Sequence, residues 1–283
     1  MKNVKLVAPL LVLASSGCGE PLVERQTITG LRVLGARYEA DADPDRATPL
    51  AGESGTIRWL VASPEGPTEV GFGLFACAAL ESARGVPQCA APPVAEASGS
   101  ASEPALQLEV PEGARLLTAG AFCSAGDVEL GPDAETSRCV ASDAAQVLAS
   151  YEISLAGPTN EPHRHPDLQD ATLRLEGAPW AEDDIPCVRR GARVAVDLAL
   201  RPEARDARPP EDPAGPWETL QVSHLSTDGK FERPFSVLGG DTEDLDVFVE
   251  WEAPDRATTA HVYLVVRDLR GGVSWLQRRV CVE

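Results

Sequence analysis

Short runs in which apolar and polar residues alternate one by one recur along this chain, and the helical period of 3.6 hardly appears. Leu106, Leu108 and Val110 alternate with Gln107 and Glu109. Val147, Ala149, Tyr151, Ile153 and Leu155 alternate with Ser150, Glu152 and Ser154. Leu173 and Leu175 flank Arg174, Val194 to Leu200 keep one phase around Asp197, and Leu245, Val247, Val249 and Trp251 stand opposite Asp246 and Glu250. Successive side chains of a strand point to opposite faces, so each run offers one face to a core and the other to water, as an antiparallel sheet requires. Further strands are expected at 27–38, 56–62, 69–78, 115–123 and 218–225. A terminal hairpin should run from His261 to Arg267, turn through Asp268–Gly272 and return from Val273 to Val282.

Many short strands joined by turns rich in Gly and Pro, 24 of each, predict an all-β fold of antiparallel, immunoglobulin-like β-sandwiches. At roughly 100–200 residues per domain, 283 residues suggest two modules. Gly157–Pro166 follows one strong strand and precedes another, so the expected division is module 1 at 27–156, a linker at 157–166 and module 2 at 167–283. Residues 90–104 and 202–216 are Pro-rich, polar and aperiodic, and read as long mobile loops.

At the start, Lys2 and Lys5 precede an apolar run from Leu6 to Ala14, shorter than the ~20 residues that span a bilayer. The run ends in Leu13-Ala14-Ser15-Ser16-Gly17-Cys18. This resembles the lipobox of bacterial lipoproteins, with Ser15 where Leu is usual. The resemblance implies a signal peptide at 1–17, acylation of Cys18 and a tether at 18–26. Gly19, where Asp would mark inner-membrane retention, points to the outer membrane. More than one acyl chain is what stable anchoring needs.

The other six cysteines, Cys77, Cys89, Cys123, Cys139, Cys187 and Cys281, read as a disulfide framework in an exported chain. Proximity suggests Cys77–Cys89 and Cys123–Cys139, which leaves Cys187–Cys281, although six cysteines allow about fifteen connectivities. A zinc site is disfavoured because no C-x-x-C occurs and no His pair lies near the cysteines at zinc-finger spacing. With 25 Lys+Arg against 44 Asp+Glu, the net charge of -19 argues against nucleic acid and against docking on an anionic membrane through a basic patch.

Three segments carry a second resemblance: Ile28-Thr29-Gly30-Leu31-Arg32-Val33-Leu34 with Pro49, Gly52 and Trp59; Asn160 to Pro166 leading to Leu173, Leu175, Gly177 and Trp180; and Val265 to Trp275. They are similar to a group of uncharacterised cell-envelope lipoproteins of myxobacteria and their relatives. The resemblance implies immunoglobulin-like modules at the envelope and brings no catalytic residue with it.

His163 and His165 would point the same way in a strand and could hold a transition metal with Asp167 or Glu161. The preferred reading is a polar linker between prolines. Asp41, Asp43 and Asp45 are spaced like calcium-loop ligands, but Arg46 and Gly52 stand where such a loop needs Gly and Glu. An irregular calcium site could use them, or Asp241, Glu243, Asp244 and Asp246; solvated acidic loops are the default. His224 shares a phase with Leu220 and Val222, and His261 has no partner that sequence assigns. No G-x-S-x-G, H-E-x-x-H, phosphate loop or dinucleotide fingerprint occurs. The expected protein is therefore non-enzymatic and cofactor-free, anchored to the membrane by lipid and binding or scaffolding an envelope protein partner. A calcium- or glycan-binding module is the alternative, and a hydrolase built from scattered carboxylates the third.

Overall fold

The runs that alternate in sequence are strands in the computed structural model, which describes residues 26–80, 88, 89, 92–113, 115–157, 162–208 and 215–283. The signal segment, Cys18, the tether up to residue 25 and Glu161 lie outside the described residues. The first half contributes β1 (Arg32–Ala40), β2 (Ser54–Ala62), β3 (Val70–Leu80), β4 (Gln88–Cys89), β5 (Ala95–Ala101), β6 (Ala105–Glu109), β7 (Arg115–Cys123), β8 (Val128–Glu129), β9 (Arg138–Cys139) and β10 (Gln146–Ser154). The second contributes β11 (Thr172–Leu175), β12 (Ala178–Pro179), β13 (Cys187–Val188), β14 (Arg193–Ala199), β15 (Leu220–Ser226), β16 (Lys230–Phe231), β17 (Phe235–Leu238), β18 (Asp246–Glu252), β19 (Thr258–Arg267) and β20 (Val273–Val282). Among the described residues the helical content is one 3-10 turn at Pro202–Ala204, and no helix is long and apolar enough to cross a membrane.

Both halves use the same strand order. In the first, β1-β2-β6 packs on β10-β7-β3, with β5 and β4 at the outer side of β3. In the second, β12-β11-β14-β18-β16 packs on β13-β20-β19-β15-β17. With the main strands lettered A to G along the chain, each half is an A-B-E sheet facing a G-F-C-C′ sheet, the order of an immunoglobulin-like sandwich. Trp59, Ile57, Leu74, Leu106, Leu116 and Phe122 centre the first core; Trp251, Val222, Phe231, Leu198, Leu264 and Val280 centre the second.

Two stretches break the alternation, and there the sandwiches meet. In β2 the outer face carries Thr56 and Arg58 and then turns apolar at Leu60 and Ala62; in β19, Tyr263 and Val265 interrupt the inward set Val262, Leu264 and Val266. Leu34, Leu60 and Ala62 of the first A-B-E sheet pack against Leu225, Tyr263, Val265 and Val273 of the second G-F-C-C′ sheet, with Ile28 beside them. The molecule is thus four stacked sheets with three apolar layers between them. The chain start is stitched across this junction: Ile28 donates to the Ser226 carbonyl, Ser226 donates to that of Gln26, and Gln26 Nε2 donates to that of Phe231.

The expected loop at 90–104 is corrected by β5, whose Ala95–Ala101 pairs with Ala76–Val70. Its sequence AEASGSA alternates only small apolar residues with polar ones; Ala95, Ala97 and Ala101 pack at the margin of the first core. In 202–216 the described part is also ordered: buried Arg205 donates to the carbonyls of Gly239 and Thr242 and stacks 5.3 Å from the Trp217 ring. Residues 124–145, between β7 and β10, fold back over β3. Gly71 is required there, because a Cβ would lie 2.0 Å from the Gly126 carbonyl oxygen. Disulfides join Cys77 to Cys89 beside this sheet, Cys123 to Cys139 across the 124–145 segment, and Cys187 to Cys281 between the parallel neighbours β13 and β20.

The Tyr263 hydroxyl is buried in the inter-module layer with no hydrogen-bond partner among the described residues. An unsatisfied buried hydroxyl costs about 1–3 kcal/mol. Tyr263→Phe should therefore stabilise the protein by about 1 kcal/mol in urea titration, and a loss of stability would show that the hydroxyl is served.

Candidate functional site

The described end of the segment expected to be a polar linker, residues 162–166, is a wedge that buries His163, His165 and Pro166 between the modules. His163 and His165 are 3% and 6% exposed. Their strand-like backbone pairs with the 45–47 segment: the His163 carbonyl accepts from Ala47 at 2.9 Å, and the His165 N–H donates to Asp45 at 2.7 Å. His165 Nδ1 accepts the Val273 N–H at 3.0 Å, so Nε2 carries the proton and donates it to the Tyr38 carbonyl at 2.6 Å. One imidazole thus ties β1 of the first module to β20 of the second. Burial pushes its pKa down to about 4, which keeps the ring neutral. Both ring nitrogens being engaged, His165 has no atom to give a metal. The wedge replaces the linker reading because those polar atoms find partners on both modules.

His163 leads into a second cluster. Its Nδ1 contacts the Thr48 hydroxyl, and its Nε2 lies 3.5 Å from Asp268 Oδ2. Asp268 Oδ1 accepts the backbone N–H groups of Arg270, Gly271 and Gly272, which closes the β19–β20 turn around the carboxylate. Thr48, His163 and Asp268 are the residue types of a nucleophile–base–acid chain. Thr48 is 0% exposed and Asp268 1%, so no substrate reaches the hydroxyl and the chain is structural. Glu218, also 1% exposed, accepts from Arg270 Nη1 at 2.5 Å. Its carboxyl is pushed up to about 7 by burial first and by the charge of Asp268 second; Arg270 opposes and Asp206 adds. Asp206 in turn accepts the Arg164 N–H at 2.8 Å.

Of the acidic candidates, Asp43 and Asp45 meet that cluster through Arg164. Arg164 Nη2 lies 3.4 Å from Asp43 and 3.5 Å from Asp45, so a guanidinium occupies the place proposed for calcium, while Asp41 is exposed nearby. Asp241, Glu243 and Asp244, in the turn before β18, and Asp246, its first residue, are exposed, and Asp244 accepts the Asp246 N–H at 2.9 Å. Among the described residues, the metal-capable set within 4.8 Å is Cys187, Cys281 and Glu283, whose sulfurs are joined as a disulfide. His224 faces the second core beside Phe231, as its phase suggests, with its pKa pushed down to about 4 by burial. His261 packs on the 63–66 turn of the first module, where a Cβ on Gly66 would lie 2.5 Å from its ring.

A cleft of about 260 Å3 opens beside the inter-module layer. Arg32, Leu34 and Tyr151 line it from the first module; Ser223, Phe235 and Arg267 line it from the second. Arg267 is fixed by bonds to Ser223 Oγ at 3.2 Å and to the Leu34 carbonyl at 2.5 Å. Burial raises the pKa of the Tyr151 phenol, against the pull of Arg267, which hydrogen-bonds to it, and of Arg32. No carboxylate is among the described residues lining this cleft, whereas three others carry Glu232, Glu250 and Glu252; Glu109 and Glu112; or Glu39 and Glu103. In a chain of net charge -19 the described lining of this cleft is cationic. Neither guanidinium stood out in the sequence. The available signal was Arg267 closing an otherwise apolar run.

No protein-family model and no curated protein matches the sequence. Similar solved structures include native alpha-2-macroglobulin of E. coli, at 11% identity over 89% of this chain and 17% of that chain, with a TM-score of 0.24. Trypsin-activated alpha-2-macroglobulin from Escherichia coli is 10% identical over 93% and 18%, TM-score 0.25, and CBD12 from CALX1.2 is 11% identical over 82% and 80%, TM-score 0.21. The chain spans less than a fifth of those alpha-2-macroglobulin chains. At such scores the likeness carries no argument, and the immunoglobulin-like assignment rests on strand order.

The wedge makes two predictions. His165→Ala removes two inter-module bonds and leaves a cavity, which should cost about 2–4 kcal/mol in urea unfolding; a neutral effect would mean that the wedge holds nothing. The second concerns pH. Glu218, raised from 4.5 to about 7, contributes stability that is full below 4.5 and lost as pH rises through 7. His165 and His224, lowered from 6.5 to about 4, contribute above 6.5 and lose it as pH falls through 4. Glu218→Gln should therefore melt about 5 °C above the parent at pH 8 and level with it at pH 5. Equal melting at both pH values would place Glu218 in contact with water.

Proposed function

We propose that this chain is a lipid-anchored protein of the cell envelope, held at the outer membrane, whose two stacked sandwiches form a non-enzymatic frame that binds a protein partner. The observation that carries the reading is the apolar layer between the modules. Domains within a chain move relative to one another by default unless their interface is large and hydrophobic. Here Leu34, Leu60 and Ala62 against Leu225, Tyr263, Val265 and Val273 fix the two modules, so loops and edges from both are presented at set positions. The nucleophile–base–acid chain lies out of reach of a substrate, which favours binding over catalysis.

Anchoring rests on Lys2, Lys5, the apolar run Leu6–Ala14 and Cys18 within Ser15-Ser16-Gly17-Cys18. Cys18 and Gln26 are eight positions apart, and an extended chain covers at most about 3.6 Å per residue, so the frame would be held within about 30 Å of the bilayer. Cys18→Ser should move the protein from the membrane to the soluble fraction, and continued membrane retention would remove the anchor. Partner capture needs a photoactivatable cross-linker, because Lys230 is the sole lysine outside the first five residues. A stoichiometric cross-linked protein in native membranes is the expected result; none from a membrane-bound frame would overturn partner binding.

A further inference from the structure

The cleft continues onto a strand edge. Strand β17 pairs with β15, and no strand among the described residues pairs with its other side. Directly opposed residues share a face of a sheet. Phe235 stands opposite Ser223, which stands opposite Val265 of the inter-module layer; Val237 stands opposite Gln221, which stands opposite Arg267. Phe235 and Val237 therefore extend the face that meets the first module, past its margin, and are 48% and 56% exposed. The result is a groove with an apolar ledge along an open edge and with guanidinium groups, but no described carboxylate, along its wall.

The geometry points to this groove as the docking site for an extended, acidic segment of the partner protein, which adds a strand beside Phe235–Leu238 and sets a carboxylate against Arg267. The inference rests on the partner-binding reading and names where the partner sits and what its chemistry is. An open edge supplies backbone donors and acceptors to an added strand, and side-chain pockets supply the choice of sequence. Apolar residues with a period of two on β17 ask for apolar residues with the same period in the guest. The charge argument fixes the sign: in a chain of net charge -19, two arginines and no carboxylate are among the described residues that line this cleft, so an acidic guest is favoured there. Arg267 is held in place by Leu34, Ser223 and Tyr151 before any guest arrives, so the N–H groups left to a carboxylate are already oriented.

A library of random ten-residue peptides displayed on phage, selected on the purified full chain, tests this. Enriched peptides should carry Asp or Glu with aromatic or β-branched residues two positions away. A fluorescein-labelled representative should bind at least tenfold more weakly when its Asp and Glu become Asn and Gln, and at least tenfold more weakly to Phe235→Asp and Val237→Asp. Both positions are exposed, and a melting curve verifies folding. Phe248→Asp, on the opposite sheet and 53% exposed, should leave binding unchanged. Failure to enrich peptides, indifference to the amide exchange, or binding that survives Phe235→Asp and Val237→Asp would overturn the inference. So would displacement of the peptide by phenylacetate alone at equal concentration, which would make the cleft a small-molecule site. A partner cross-linked elsewhere on the frame, with no peptide in this groove, would end this inference and leave the partner-binding reading standing.

Discussion

Leu60 and Ala62 are the hinge of the structure in the energetic sense: where β2 would show water a second polar pair after Thr56 and Arg58, it shows two apolar side chains. They meet Tyr263 and Val265, which replace the polar half of the alternation in β19. Burying an aliphatic or aromatic side chain of this size is worth about 1.5–3 kcal/mol, and eight buried side chains make up the layer. Without it the molecule would be two beads on a string. The wedge at 163–165, the stitched segment 26–28 and the cleft between Tyr151 and Phe235 all depend on the sheets being held face to face.

The polar side of the junction sets the geometry that the apolar layer leaves loose. Hydrophobic contact is non-directional, whereas an imidazole bonded to Tyr38 on one side and Val273 on the other fixes register. The cost appears as strained protonation. Glu218 shares a dry site with Asp268 and prefers to be neutral, while His165 must stay neutral to keep its acceptor nitrogen. These two tendencies pull the pH dependence in opposite directions, so in mild acid the contribution of Glu218 offsets the loss at His165.

Strand positions were legible because each alternating run buries one face, and two of the cysteine pairs because their members are close in sequence, which left Cys187 for Cys281. What escaped the sequence had a physical reason each time. Strand β5 has the composition AEASGSA, and the alanines it turns to the core are too small to give more than a faint hydrophobic alternation. His163 and His165 sit between prolines in a polar stretch, and their burial follows from partners at Thr48, Tyr38, Asp268 and Val273, more than a hundred residues away in the chain. The inter-module layer was written in the sequence as two places where alternation lapses into a continuous apolar run, Trp59 to Ala62 and Val262 to Val266. Such runs belong to strands buried on both faces. Arg32 and Arg267 become a pair only when the modules stack, so no local pattern could have joined them.

The central claim is that the two sandwiches form one rigid body. Native-state hydrogen exchange tests it most directly, comparing amides of the first core strand at Ile57–Val61 with those of the second at Val247–Trp251. One shared free energy of opening, equal to that of global unfolding, is the predicted result. Two separate values, with the junction amides of Ala47 and Val273 exchanging before either core, would contradict it and leave the modules independent.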